Sequence, residues 1–225
     1  MKRAAGPIAA ASVLAAILGA SSVFAEPTRT ASTGQVTDWS GYYVGLSAAR
    51  PTGDNYWDRP ALGDHATLSD DWVGSLPILT VGRDWQRGQF TFGAAVSLSS
   101  DEITASPQPG IFLLCNDCDT IVSDLMTLRG RAGLAAGKVH VFATGGFARA
   151  GVAGTSGGGQ TTVNSDTLSG WTLGLGVERS LGEQLSLTAG YDHFDLGEIT
   201  LERHNPGAIS KIEFGLLQVG VNYRW

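Results

Sequence analysis

The chain has 225 residues, 43% of them apolar and 16% charged, with 31 glycines and 2 cysteines. High glycine beside ordinary apolar content argues against a disordered chain and against a helical bundle. The formal charge of −6 argues against nucleic acid as a partner.

In chain order, Lys2 and Arg3 form a positive start, and Ile8 to Ala20 is almost wholly apolar and small. Val23-Phe24-Ala25 then offers small residues at the −3 and −1 positions of a cleavage site before Glu26. This is the pattern of a secretory signal peptide over residues 1–25. The apolar run is shorter than the roughly 20 residues of a spanning helix, and no other stretch approaches that length. The expected mature chain begins at Glu26 and carries 13 basic against 21 acidic residues, a net of −8. About 200 residues remain, the size of one domain. In an oxidising compartment the two cysteines allow at most one disulfide.

Residues 26–38 are polar and Thr-rich and read as a flexible lead. A first strand follows from Ser40 to Arg50, with Tyr42, Val44, Leu46 and Ala48 on one face and Tyr43, Gly45, Ser47 and Ala49 on the other. Pro51 to about Val73 is long and polar. The second strand spans about Ser75 to Gln86, and Arg87-Gly88 turns tightly into the third, Gln89 to Ser99, where Phe90, Phe92, Ala94, Val96 and Leu98 alternate. Ser100 to Ser123 is again long and polar. The fourth strand is Asp124 to Ala136, Gly137-Lys138 is a tight turn, and the fifth strand is Val139 to Ala150. A Gly/Ser/Thr loop is expected from Gly151 to Thr167. The sixth strand runs from Leu168 to Leu181, with Trp171, Leu173, Leu175 and Val177 outward. The seventh runs from Gln184 to Leu196, a last loop covers Gly197 to Lys211, and the eighth strand is Leu216 to Trp225. In that ending Leu217, Val219, Val221, Tyr223 and Trp225 alternate with small or polar residues.

The connections alternate long and short. Soluble sandwiches have no reason to do so. Transmembrane barrels do, with short periplasmic turns and long outer loops. Each strand supplies the ~9–11 residues needed to cross at a tilt. A sixteen-stranded porin would need nearly the whole mature chain for strands alone, so length excludes it. The fold class expected is therefore all-β, an eight-stranded antiparallel up-and-down transmembrane β-barrel over residues 39–225, with both termini periplasmic. On the outward faces Arg83 is the charged residue, with its stem in the apolar band and its head in water. The register of strand two stays open, because this placement turns Leu76 and Ile78 inward; strand five is ambiguous as well. The inward faces receive Asp84, Arg129, Arg131, Glu178, Asp192 and Arg224, three acids and three bases. Such charges do not stay unpaired inside a narrow barrel, so an ion-pair network is expected there.

Seven segments carry a family resemblance: D-W-S-G-Y-Y-V-G from Asp38, V-G-R-D-W-Q from Val81, L-R-G-R-A-G from Leu128, A-T-G-G-F-A from Ala143, G-W-T-L-G-L-G-V-E from Gly170, Y-D-H-F-D-L-G from Tyr191, and the ending V-G-V-N-Y-R-W. Together they resemble the opacity-type outer-membrane β-barrel family, which includes outer-membrane immunogenic proteins labelled "porin family". The resemblance implies an eight-stranded barrel and surface exposure, and no common catalytic residue. The ending, with Tyr223 and Trp225, also resembles the C-terminal sorting signal of outer-membrane barrels, where Phe is the more frequent last residue. One departure is that the family often has an acid inside the third strand, where this chain has Ala95 and Ser97.

Other candidate chemistry is sparse. Cys115 and Cys118 form C-N-D-C in the second long loop. Two ligands are too few for a structural zinc, and a redox C-x-x-C is expected on a thioredoxin-like scaffold, so a local disulfide stiffening the loop is the reading taken. Asp101, Glu102, Asp117 and Asp119 make that loop acidic; it reads as a solvated loop, with weak divalent-cation binding as the alternative. His65, His140, His193 and His204 are read as surface residues. Gly157-Gly158-Gly159 lacks the Lys-Ser/Thr of a phosphate loop and reads as flexible. Lipid A acyl-chain enzymes resemble this size and fold, but the deacylase type places His and Ser close together on late strands, and here Phe194-Asp195 follows His193. The expectation is a non-enzymatic surface barrel of the bacterial outer membrane, with no catalytic residue, metal or cofactor. Its partners would be outer-membrane lipid and lipopolysaccharide and, during insertion, the barrel-assembly machinery. A narrow pore and a lipid A acyl-modifying enzyme stand as alternatives.

Overall fold

The computed structural model describes residues 37–58, 70–105, 119–156, 161–201 and 208–225. Eight long strands dominate them: β1 (Gly41–Thr52), β2 (Leu76–Arg87), β3 (Phe90–Ser99), β4 (Asp119–Ala136), β5 (Val139–Ser156), β6 (Thr161–Ser180), β7 (Leu185–Leu201) and β8 (Ala208–Arg224). Each pairs antiparallel with the next. β8 then pairs with β1, from Tyr43 opposite Arg224 to Thr52 opposite Gly215, so the sheet closes into an eight-stranded barrel without a free edge in its lower part. Short turns join β2 to β3, β4 to β5 and β6 to β7. Gly88 (φ 63°) and Gly137 (φ 58°) supply the left-handed backbone that two of these turns require. β1 begins and β8 ends at this short-turn end.

Near the short turns, the alternation puts apolar side chains outside. Leu175, Phe147 and Phe90 are 70, 75 and 68% exposed, and Leu46, Val81, Leu128, Leu173, Val221 and Tyr223 join them. Val177 and Ala189 share this outer side but are covered there by Val139 and Leu187. A continuous apolar surface of this extent suits hydrocarbon, not water. At its lower margin Tyr42 stacks on Trp225 and Trp85 on Phe92, and the Arg83 guanidinium lies 4.7 Å from the Tyr42 ring centre. Arg83 points outward and Leu76 and Ile78 point inward, which fixes the register of β2. Replacing Leu128 by Arg in the barrel refolded in lipid vesicles is expected to lower unfolding free energy by ~2–4 kcal/mol. A loss under about 1 kcal/mol in a denaturant titration would put that face in water instead.

Toward the other end, the strands outrun the expected ones. β4 starts at Asp119, β5 reaches Ser156, β6 starts at Thr161, β7 reaches Leu201 and β8 starts at Ala208. The stretches 151–167 and 197–211, expected as loops, are therefore largely strand. The reason is an inversion of faces along each strand. On β8, Val219, Val221 and Tyr223 face out while Asn222 and Arg224 face in. Further up the same strand, Lys211 and Glu213 face out while Ile212, Phe214 and Leu216 are buried inside. The two-residue period persists, but its polarity reverses, so the segment reads as polar and loop-like. Short strands Asp54–Asp58, Asp70–Asp71, Val73–Gly74 and Ile103–Ala105 complete this upper wall, within stretches also expected as loops.

Two bulges shape the upper wall. One lies in β4 between Ser123 and Met126, where Asp124 has φ 50°. The other lies in β7 between Asp195 and Glu198, where Gly197 has φ 86°. Such insertions bend a strand and interrupt its ladder. Above Trp171 opposite Asp195, the β6–β7 ladder stops among the described residues.

Candidate functional site

The barrel interior is built from the inward residues of the lower strands. Inward glycines make room for the large ones: a Cβ at Gly82 would run into the Tyr43 ring, and one at Gly176 into the Phe142 ring. Into this space project all six charged residues assigned to the interior from sequence, and all six are buried.

Four of the six form one cluster near the short-turn end. Asp84 comes from β2, Arg131 from β4, Glu178 from β6 and Arg224 from β8. Arg131 bridges Glu178 (2.5 Å) and Asp84 (3.3 Å), and Arg224 reaches Asp84 (3.1 Å) and Glu178 (3.5 Å). Two acids thus face two bases. Ser186 Oγ donates to Glu178, and Arg224 donates to the Trp39 carbonyl. The Arg131 guanidinium lies 3.6 Å from the Phe142 ring centre. The remaining pair sits higher: Arg129 Nη1 donates to Asp192 Oδ2 at 2.7 Å. Thr144 and Gln218 also donate to Asp192, and Arg129 Nη2 donates to Ser97 Oγ at 3.0 Å. Ser97 thus offers Arg129 only a neutral acceptor on the third strand, and the acid comes from β7.

His140 corrects an expectation. It was read as a surface residue, yet it is 0% exposed and lies between Thr91, whose hydroxyl is 2.6 Å from Nε2, and Arg131, 3.1 Å from Nδ1. Val139 and Val141 flank it and take the outer side, so the alternation turns it inward. Trp39 was missed as well. It is buried at the short-turn mouth, 5.2 Å from the His140 ring, with its backbone N–H donating to Gln86 Oε1. Just before it, Thr37 N–H donates to Gly137 O at 3.1 Å.

Above Arg129 and Asp192 the interior turns apolar. Trp72, Leu76, Ile103, Leu196, Ile212, Phe214 and Leu216 form one buried cluster with their neighbours, and Phe194 stacks on Phe214 at 5.1 Å. Between the two charged groups lies a cavity of about 50 Å³, lined by Tyr43, Arg129, Arg131, Thr144, Asp192 and Gln218 among others. That is room for a few waters among polar side chains.

His193 lies at the upper margin of the outer face, 5.3 Å from Trp171 and 3.5 Å from Glu213. Tyr223 and Trp225 are exposed on the outer side, their rings 6.1 Å apart. Residues 1–25, Cys115, Cys118, His65, His204 and the Gly157 run lie outside the described residues.

A family model described as "Outer membrane protein beta-barrel domain" matches residues 11–224. The "31 kDa outer-membrane immunogenic protein" of Brucella melitensis is 27% identical over 226 residues, covering 92% of this chain and 93% of that protein; the Brucella suis protein matches equally. Among solved structures, the solid-state NMR structure of outer membrane protein AlkL in DMPC lipid bilayers aligns with a TM-score of 0.51 at 11% identity, covering 89% of this chain and 95% of that one. That likeness is one of fold.

Proposed function

The chain belongs to the outer membrane protein β-barrel family, and from that premise we propose that it is a non-enzymatic, closed barrel whose long-connection end carries recognition at the cell surface. The observation that supports this reading most is the double closure of the interior. The four-charge cluster with Trp39 closes the short-turn end, and the apolar cluster around Phe214 closes the other. Each of the six interior charges is paired with an opposite one, Arg131 and Arg224 with Asp84 and Glu178 and Arg129 with Asp192, so none is left as a free counter-charge for a solute.

The same reading places both termini in the periplasm, because β1 starts and β8 ends beside the short turns. Lipopolysaccharide would contact the upper part of the apolar belt, and the exposed Tyr223 and Trp225 would be offered to the assembly machinery. The relative named as immunogenic agrees with exposure at the surface.

Among the described residues, the interior set that comes nearest to a nucleophile, base and acid is Thr91, His140 and Glu178. His140 and Glu178 are both 0% exposed, so no lipid carbonyl reaches them. Unchanged lipid A mass spectra on overexpression are the expected result.

The deciding experiment is single-channel recording on refolded protein, with folding first confirmed by a gel shift between boiled and unboiled samples. No discrete current steps are expected. Reproducible steps would overturn the closed barrel and favour the narrow pore. Protease treatment of intact cells should cut only at the long-connection end; cleavage restricted to the short-turn end would reverse the orientation.

A further inference from the structure

One seam in the upper wall is left unzipped. β6 and β7 pair from Ser180 opposite Ser186 up to Trp171 opposite Asp195, and no further among the described residues. The cause is the bulge at Leu196–Gly197, which turns β7 away just above that point. Among the described residues β6 continues upward bound to β5 alone, from Gly170 opposite Ala148 to Thr161 opposite Ser156. Its other edge faces the seam. Ser165, Thr167 and Ser169 are exposed on the outer face, while Asp166 and Leu168 share the inner face, Asp166 exposed and Leu168 against the apolar cluster. The Thr167 N–H donates to a local acceptor, Asp166 Oδ1 at 2.7 Å, and Gly197 N–H likewise donates to Asp195 Oδ1 at 3.0 Å. An unpaired edge of this kind is a template for another strand.

The charges around it are mostly acidic, with Arg149, exposed on β5 opposite Ser169, as the base on the β5 side. Asp166, Asp195 and Glu198 border the seam, and one strand further on, in β8, Lys211 is held by Glu213. Two barrels in one membrane carry β6 in the same sense, so their β6 edges could pair only in parallel, the weaker ladder, and would bring Asp166 of each copy together.

We propose that this seam docks an extended basic peptide segment of a partner protein, which adds to the β6 edge by backbone hydrogen bonds and directs Lys or Arg side chains on its outer face to Asp195 and Glu198. This rests on the surface-recognition reading and names the chemistry of its partner. The edge supplies the affinity and the acids the selectivity, as in strand addition generally.

The test uses the full barrel in lipid nanodiscs and a fluorescent eight-residue peptide of alternating lysine and threonine. Two control peptides accompany it: alternating glutamate and threonine, and the lysine peptide N-methylated at every second amide. The variant is Thr167→Pro. Its N–H serves the seam and not the ladder to β5, so proline removes the edge donor and leaves the barrel paired. Saturable anisotropy binding of the lysine peptide is expected, at least tenfold weaker for the variant and for the methylated peptide and absent for the glutamate peptide. Slowed amide exchange at residues 165–169 should accompany it. Equal binding of the methylated peptide, equal binding by Thr167→Pro, or no saturable binding by folded barrel would overturn the proposal. If that happens while proteases still reach the long-connection end on cells, only the seam assignment fails. If that end is inaccessible on cells, the underlying reading fails too.

Discussion

Exchanging Glu178 for Gln is expected to lower the unfolding free energy by roughly 3–5 kcal/mol, because it leaves a buried charge uncompensated. Arg131 and Arg224 would then share Asp84 alone, with no solvent to take up the excess. A urea titration of the refolded barrel, followed by tryptophan fluorescence, reads the effect. Adding Arg224→Gln restores neutrality within the cluster and should recover part of the loss, a coupling that a double-mutant cycle isolates. The contrast is Lys211→Ala, which breaks a solvent-facing pair with Glu213 and should change stability by no more than ~1 kcal/mol. If Glu178→Gln were as mild as that, the cluster would be wet and the interior open.

The second large effect belongs to Phe214. It is 1% exposed, stacked on Phe194 and 5.4 Å from the Trp72 ring. Truncation to Ala should cost ~3–5 kcal/mol, the usual range for a large core aromatic. It should nevertheless leave the barrel electrically silent, because the charged cluster below still blocks the lumen. Current steps from Phe214→Ala would show that the apolar cluster alone had held the barrel shut.

The lower half of this fold is legible in the sequence because two signals agree there. Alternation gives the strand, and apolar-out polarity gives the hydrocarbon environment. Arg129, Arg131, Glu178 and Arg224 could be put inside by parity alone. Which acid meets which base could not, since Arg224 and Asp84 are partnered by a register 140 residues apart in the chain. The upper half misleads for a physical reason. Above the apolar belt the wall meets water outside and packs against itself inside, as a soluble sheet does. Ser165, Thr167 and Ser169 therefore look like loop composition while Leu168 between them is core. A search for alternation regardless of which face is greasy would have carried β8 back through Phe214 and Ile212. His140 had a usable signal too, in the valines on either side. Trp39 had one as well, since it stands in the D-W-S-G-Y-Y-V-G segment with the inward parity of Tyr43, although it precedes the first strand.

The four-charge cluster draws one residue each from β2, β4, β6 and β8, and Arg224 comes from the last of these. Until β8 docks, two carboxylates have a single guanidinium between them. An intermediate lacking its final stave is therefore an ionic object in a medium that rejects ions, and the completed one is neutral. The lipid itself can tell the two apart. The charge of the cluster cancels only when Arg224, next to last in the chain, is in place.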